Sequence, residues 1–94
     1  MNYAVLWTDE AKETFEIIVN MLEIKWGNLS ASNFITTTQS KINLIISHPY
    51  LYKESISANV RQAVITKQTS MFYEIRGNHI IILFFMDNRQ EPII

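Results

Sequence analysis

The stretch Val60-Arg-Gln-Ala-Val-Ile-Thr-Lys-Gln-Thr-Ser-Met-Phe-Tyr-Glu-Ile-Arg-Gly-Asn-His-Ile-Ile-Ile-Leu-Phe-Phe-Met-Asp-Asn-Arg-Gln-Glu-Pro92 decides the fold. Runs rich in β-branched and aromatic residues alternate with turn dipeptides, which reads as three strands followed by a polar tail. Gln68-Thr69 and Gly77-Asn78 predict two tight hairpin turns. If each is two residues long, the pairing follows: Arg61 with Arg76, Ala63 with Glu74 and Ile65 with Phe72, then Arg76 with His79, Glu74 with Ile81 and Phe72 with Leu83. Val60, Val64, Met71, Tyr73, Ile75, Ile80, Ile82, Phe84 and Met86 then share the core face with Gln62. Arg61, Lys67, Glu74, Arg76 and His79 share the opposite face with Ile65, Phe72, Ile81, Leu83 and Phe85.

Upstream of the sheet the period changes. Tyr3–Trp7 fits a short strand, and Thr8-Asp9-Glu10 supplies a cap and two carboxylates for the first turn of a helix. Ala11, Phe15, Ile18, Leu22 and Trp26 recur at helical spacing, and Gly27-Asn28 ends the run. Trp7 and Trp26 read as core aromatics. A second helix is expected from Ser30, with Phe34, Thr38, Ile42 and Ile45 as its buried stripe and Ile35 and Ile46 beside it. The run Thr36-Thr37-Thr38 weakens its intrinsic propensity, so packing must hold it. It should stop at Ser47-His48, because Pro49 disfavours a helical residue before it. Residues 50–59 then form a loop anchored by Leu51 and Tyr52. The expected fold is α+β, in the order β-α-α-β-β-β, with a helical hairpin on one face of a curved antiparallel sheet.

The composition limits what such a sheet can do. The 94 residues make one domain, 1–94, and a chain this long buries about 60–65% of its unfolded surface. Apolar residues reach 48% against 18% charged, so disorder is excluded and some apolar surface is left for a partner. The chain has no cysteine, which excludes disulfides and thiolate metal sites and points to a reducing, cytoplasmic setting. The first residues lack a basic signal-like region and no apolar run approaches a membrane span, so no membrane association is expected. A net charge of −1 argues against affinity built on many phosphates.

Few residues offer chemistry. His48 and His79 have no carboxylate at ligand spacing, so no metal and no cofactor are expected. No serine sits in a nucleophile-elbow setting, and two glycines cannot make a phosphate-cradling loop. The arginines are more informative. Arg61 opposite Arg76, with Glu74 nearby, points to a site for an acidic partner or a phosphate. The alternative is a solvated face carrying a Glu74–Arg salt bridge, worth about 0–1 kcal/mol. Ile81, Leu83 and Phe85 on the uncovered face would make an apolar patch of the kind that marks an interaction site.

In this order and spacing the chain resembles the RelE/ParE superfamily of type II toxin–antitoxin toxins, and its ParE branch more closely. The resemblance runs through Trp7-Thr-Asp-Glu-Ala11, Trp26-Gly27, Phe34 to Ile46, His48-Pro49, Val60-Arg61, Phe72-Tyr-Glu-Ile75, Gly77-Asn78, Ile80 to Phe85 and Asp87-Asn-Arg-Gln-Glu-Pro92. It implies the β-α-α-β-β-β fold, growth inhibition, and a cognate antitoxin wrapped over the helices and open sheet face in a hetero-oligomer. In the ParE branch the implied target is DNA gyrase and no hydrolytic residue is needed. In the RelE branch it is messenger RNA at the ribosome, cleaved with help from basic and aromatic residues. On that alternative Arg61, Arg76 and Arg89 would be the catalytic candidates. Asn88-Arg89 stands where that branch tends to place His or Tyr, and its strongly basic character is missing here.

The expected function is therefore a ParE-like gyrase-inhibiting toxin. A RelE-like endoribonuclease is the first alternative and a non-toxic binding domain of the same fold the second. Residues for contacting target or antitoxin are Arg61, Glu74, Arg76, Ile81, Leu83, Phe85, Asn88 and Arg89.

Overall fold

The computed structural model describes residues 3–55, 57 and 59–88. Its elements are β1 (Ala4–Trp7), α1 (Asp9–Trp26), α2 (Asn28–Ser47), β2 (Val60–Val64), β3 (Thr69–Arg76) and β4 (His79–Asp87). Thr8 caps α1 by accepting the Ala11 amide at 3.0 Å, with Asp9 and Glu10 in the first turn. Gly27 joins the helices alone. Its amide closes α1 on the Glu23 carbonyl, its carbonyl opens α2 on the Ala31 amide, and its φ of +96° lies where a side chain would be strained. The second helix therefore starts at Asn28, two residues before the Ser30 expected. Phe34, Thr38, Ile42 and Ile45 are all buried, and α2 ends at Ser47 ahead of Pro49.

The expected β-α-α-β-β-β order is found. The sheet order is β1-β4-β3-β2, antiparallel among the last three strands as expected, while β1 adds in parallel beside β4 and makes the sheet mixed. Gly77-Asn78 is the two-residue turn foreseen, and Arg76 pairs with His79 and Glu74 with Ile81. The other turn differs. Residues 65–68 form it, closed by reciprocal bonds between Thr66 and Thr69. Arg61 consequently faces Tyr73 instead of Arg76, and Ala63 faces Met71. A slip of three residues is odd, so it turns Arg61, Ala63 and Ile65 toward the helices and Gln62 and Val64 away from them, while Val60, on the face of Gln62, is still buried at 8% exposure.

A second irregularity sits in β4. Tyr73 pairs with Ile82 but Phe72 with Phe84, so Leu83 is an extra, bulged residue. Beyond it the faces exchange: Phe85 enters the core at 3% exposure, while Phe84 stacks on Phe72 on the other side and Met86 is exposed. Phe85 thus belongs to a cluster with Trp7, Phe15 and Phe34, whose successive ring centroids lie 5.1–5.5 Å apart. Trp26, expected in the core, is 65% exposed at the tip of the helical hairpin, and Leu51 is exposed too.

The bulge separates two residues that strict alternation would treat alike. Phe85→Ala should cost about 3–5 kcal/mol by emptying the aromatic cluster. Leu83→Ala, at a half-buried position, should cost less than about half as much. Urea denaturation of both variants checks this. Equal losses would put the bulge elsewhere.

Candidate functional site

The sheet face turned away from the helices carries the polar and apolar groups that a partner could meet. Glu74 and Arg76, two apart on β3, project together and form an ion pair of 3.2 Å, with Arg76 71% exposed. Such a pair is worth about 0–1 kcal/mol, so Arg76 is held loosely and remains available to a stronger anion. Ile81 lies opposite Glu74 and beside Leu6 of β1, with Leu83 one bulge further on. Ile81 and Leu83 are half-buried, not bare. The exposed apolar side chains of this face are Leu6, Val64 and Met86.

Arg61 does not join this group. Its Nη1 donates to the Tyr52 carbonyl at 2.5 Å, and its guanidinium lies 4.9 Å from the Tyr50 ring centroid. The expected Arg61–Arg76 pair is therefore absent, because the longer β2–β3 turn puts the two arginines on opposite faces. Phe85 is likewise removed from the candidate surface by the bulge. Asn88 donates its amide to the Gln68 carbonyl at the far end of the sheet. Arg89 lies outside the described residues.

Around Arg61 the chain has built a closed polar corner that spacing did not reveal. Tyr73 is fully buried, and its hydroxyl donates to the Pro49 carbonyl at 2.8 Å. Burial pushes its phenol up from the ordinary 10 to about 12, against the lowering pull of the Arg61 charge. Arg61 and Tyr73 thus fasten the segment following α2 from two sides. Tyr50 and Pro49 were missed because their partners are 11 and 24 residues away in sequence. Pro49 served only as a helix stop. Among the described residues no three His, Cys, Asp or Glu side chains converge on a point that could hold a metal ion. No described helix is long and apolar enough to cross a membrane.

A family profile described as the ParE toxin of the type II toxin–antitoxin system parDE matches residues 5–92. The chain belongs to this family. It is a type II toxin of the ParE/RelE superfamily, and similar solved structures carry the same fold. A chain of the chromosomal ParDE system of P. aeruginosa is 16% identical, covers 90% of this toxin and 95% of its own length, and superposes with a TM-score of 0.77. A YoeB/ParE toxin from Agrobacterium tumefaciens is 11% identical over 89% and 96% of the two chains, with a TM-score of 0.69. A chain of the E. coli DinJ-YafQ toxin–antitoxin complex is 6% identical over 95% and 96%, with a TM-score of 0.64. No curated protein matches the sequence significantly.

The Tyr73 phenol makes the corner's contribution pH-dependent in one direction. Its proton is held more tightly in the folded toxin, so the associated stability is complete below pH 10 and is lost as pH rises from 10 toward 12. Two units correspond to about 2–3 kcal/mol. Urea midpoints from pH 9 to 12 should therefore fall more steeply for the wild type than for Tyr73→Phe. Parallel curves would mean that the phenol is not desolvated.

Proposed function

We propose that this ParE-family toxin acts by inhibiting DNA gyrase, and that a cognate antitoxin neutralises it by covering the open sheet face and the helical hairpin. The observation that carries the target is the disposition of Arg61 and Arg76, the arginines among the described residues. Ribonucleolytic chemistry needs cationic groups converging on one phosphate as charge develops. Here Arg61 is committed to Tyr50 and Tyr52 behind the sheet, and Arg76 is paired with Glu74 in front of it. The net charge of −1 adds little attraction for RNA. A protein target makes no such demand. It can be held by one exposed arginine among apolar side chains, the composition favoured in interface centres.

On this reading Arg76, Glu74, Ile81 and Leu83 are the contact residues of the sheet face, and Arg61 acts by holding its own loop. Ile81 and Leu83, joined by Leu6 and Met86, give the antitoxin an apolar strip. A stable complex would bury about 1,200 Å² or more in total.

Expression without antitoxin should arrest growth and induce the DNA-damage response, and purified toxin should block supercoiling by gyrase while leaving a translated message intact. Ribosome-dependent cleavage of that message, with supercoiling untouched, would transfer the toxin to the ribonuclease class.

Variants separate the two arginines. Arg76→Ala should abolish growth arrest and change stability by only about 0.5 kcal/mol, whereas Arg61→Ala should lower the thermal midpoint as well. An Arg76→Ala variant that remains fully toxic would remove that residue from the contact.

A further inference from the structure

At the tip of the helical hairpin, away from the sheet face just described, α1 and α2 meet the β2–β3 turn around a cleft of about 360 Å³. Its walls include Trp26, Ser30, Asn33, Thr37, Gln68 and Thr69. None of its lining residues is ionisable. We propose that this cleft binds an uncharged, flat nitrogen heterocycle, a nucleobase, stacked on Trp26 and hydrogen-bonded at its edge by Asn33, Gln68 and Thr69.

Three observations carry this assignment. The first is the indole. Trp26 occupies a position with core spacing on α1, yet it is 65% exposed and lines the cleft. An aromatic face open to solvent at the mouth of a pocket is a stacking platform for a flat ring.

The second is the polar groups. Thr14 and Thr38, elsewhere on the helices, spend their hydroxyls on the carbonyl four residues back. Ser30, Asn33 and Thr37 make no side-chain hydrogen bond among the described residues, so their donors and acceptors are uncommitted. Thr69 is sharper still. It is 2% exposed and its hydroxyl makes no hydrogen bond among the described residues, yet no described side-chain oxygen or nitrogen is sealed from solvent without a partner. What remains open of Thr69 is therefore its hydroxyl, and the cleft is the concavity that it lines. A hydroxyl open in this way gains from a ligand that takes the place of water and bonds to it.

The third is the match of groups. Side-chain amides offer a donor and an acceptor side by side, as base edges do, and Asn and Gln pair with them in two-bond contacts. A pyranose would stack on the same indole, but its hydroxyl protons call for strong acceptors such as carboxylates, and this wall has none. An ionised ligand would enter without a counter-charge. The cleft is at the small end of the range for ligand sites, suited to one ring system. A nucleoside and a single strand both offer such a base, and these sources differ only in whether a backbone adds to the contact.

The test is a titration of the full-length toxin, followed by the two tryptophan indole N–H resonances in ¹H–¹⁵N spectra. Adenosine should shift the Trp26 resonance saturably and leave that of Trp7, packed in the core, in place. Thr69→Val and Asn33→Ala should each weaken binding about tenfold, and Trp26→Ala, followed at the Gln68 backbone amide because its indole is gone, should abolish it. A short adenine oligonucleotide that saturates the same shift at much lower concentration identifies a strand as the source, and equal affinity identifies the nucleoside. Two outcomes would overturn the assignment: no shift of Trp26 up to about 10 mM adenosine, or saturation by methyl glucoside in its place. Unchanged affinity in a folded Thr69→Val variant, or in Asn33→Ala should the former not fold, would also overturn it.

Discussion

The amide of Phe85 donates to the Thr14 hydroxyl at 2.9 Å, and the hydroxyl of Thr8 donates to the Leu83 carbonyl at 2.7 Å. These two bonds span 71 and 75 residues. They matter because β1 is too short to accompany β4 beyond Ile82, and an uncovered strand edge is both unsatisfied and prone to aberrant pairing. The first turns of α1 take over where β1 ends. Each bond contributes about 0.5–1.5 kcal/mol net, but leaving its backbone partner buried and unsatisfied would cost more. With the edge held there, Leu83 bulges, Phe85 turns inward onto Phe15 and Trp7, and the helical hairpin is seated on the sheet.

The surface available to partners follows from that seating. Had β4 continued without a bulge, Phe85 would have extended the outer apolar strip and Phe84 would have filled the core. Instead the strip consists of half-covered Ile81, Leu83 and Phe84, with Leu6 and Met86 at its margins. The β2 register divides the charge in the same way. Arg61 is drawn behind the sheet to clamp the segment after α2, and Arg76 is left in front beside Glu74. One fold of this superfamily can thus present quite different chemistry through a turn length and a single inserted residue.

Much of the fold was legible in the sequence. The helices, the Thr8 cap, the Gly27 break and the Gly77-Asn78 turn are local events, fixed by residues within a few positions of each other. The candidate site was less so, since it depends on register. Gln68-Thr69 has the composition of a turn, but the hairpin closes through Thr66 and Thr69, and three residues of slip reverse the face of Arg61. The bulge left no mark because the run from Ile80 to Phe85 is apolar throughout and has no alternation for a slip to violate. Trp26 shows the complementary error. Helical spacing gave its direction, but the hairpin tip extends past the sheet that would have buried it.

Hydrogen exchange at the Phe85 amide tests most directly whether the α1 threonines fix the end of β4. In the wild-type toxin this amide should be protected to nearly the same degree as that of Ile82, and Thr14→Val should accelerate its exchange more than tenfold while leaving the strand before the bulge unchanged. Fast exchange at Phe85 in the wild type, or a Thr14→Val variant with undiminished protection, would contradict the account.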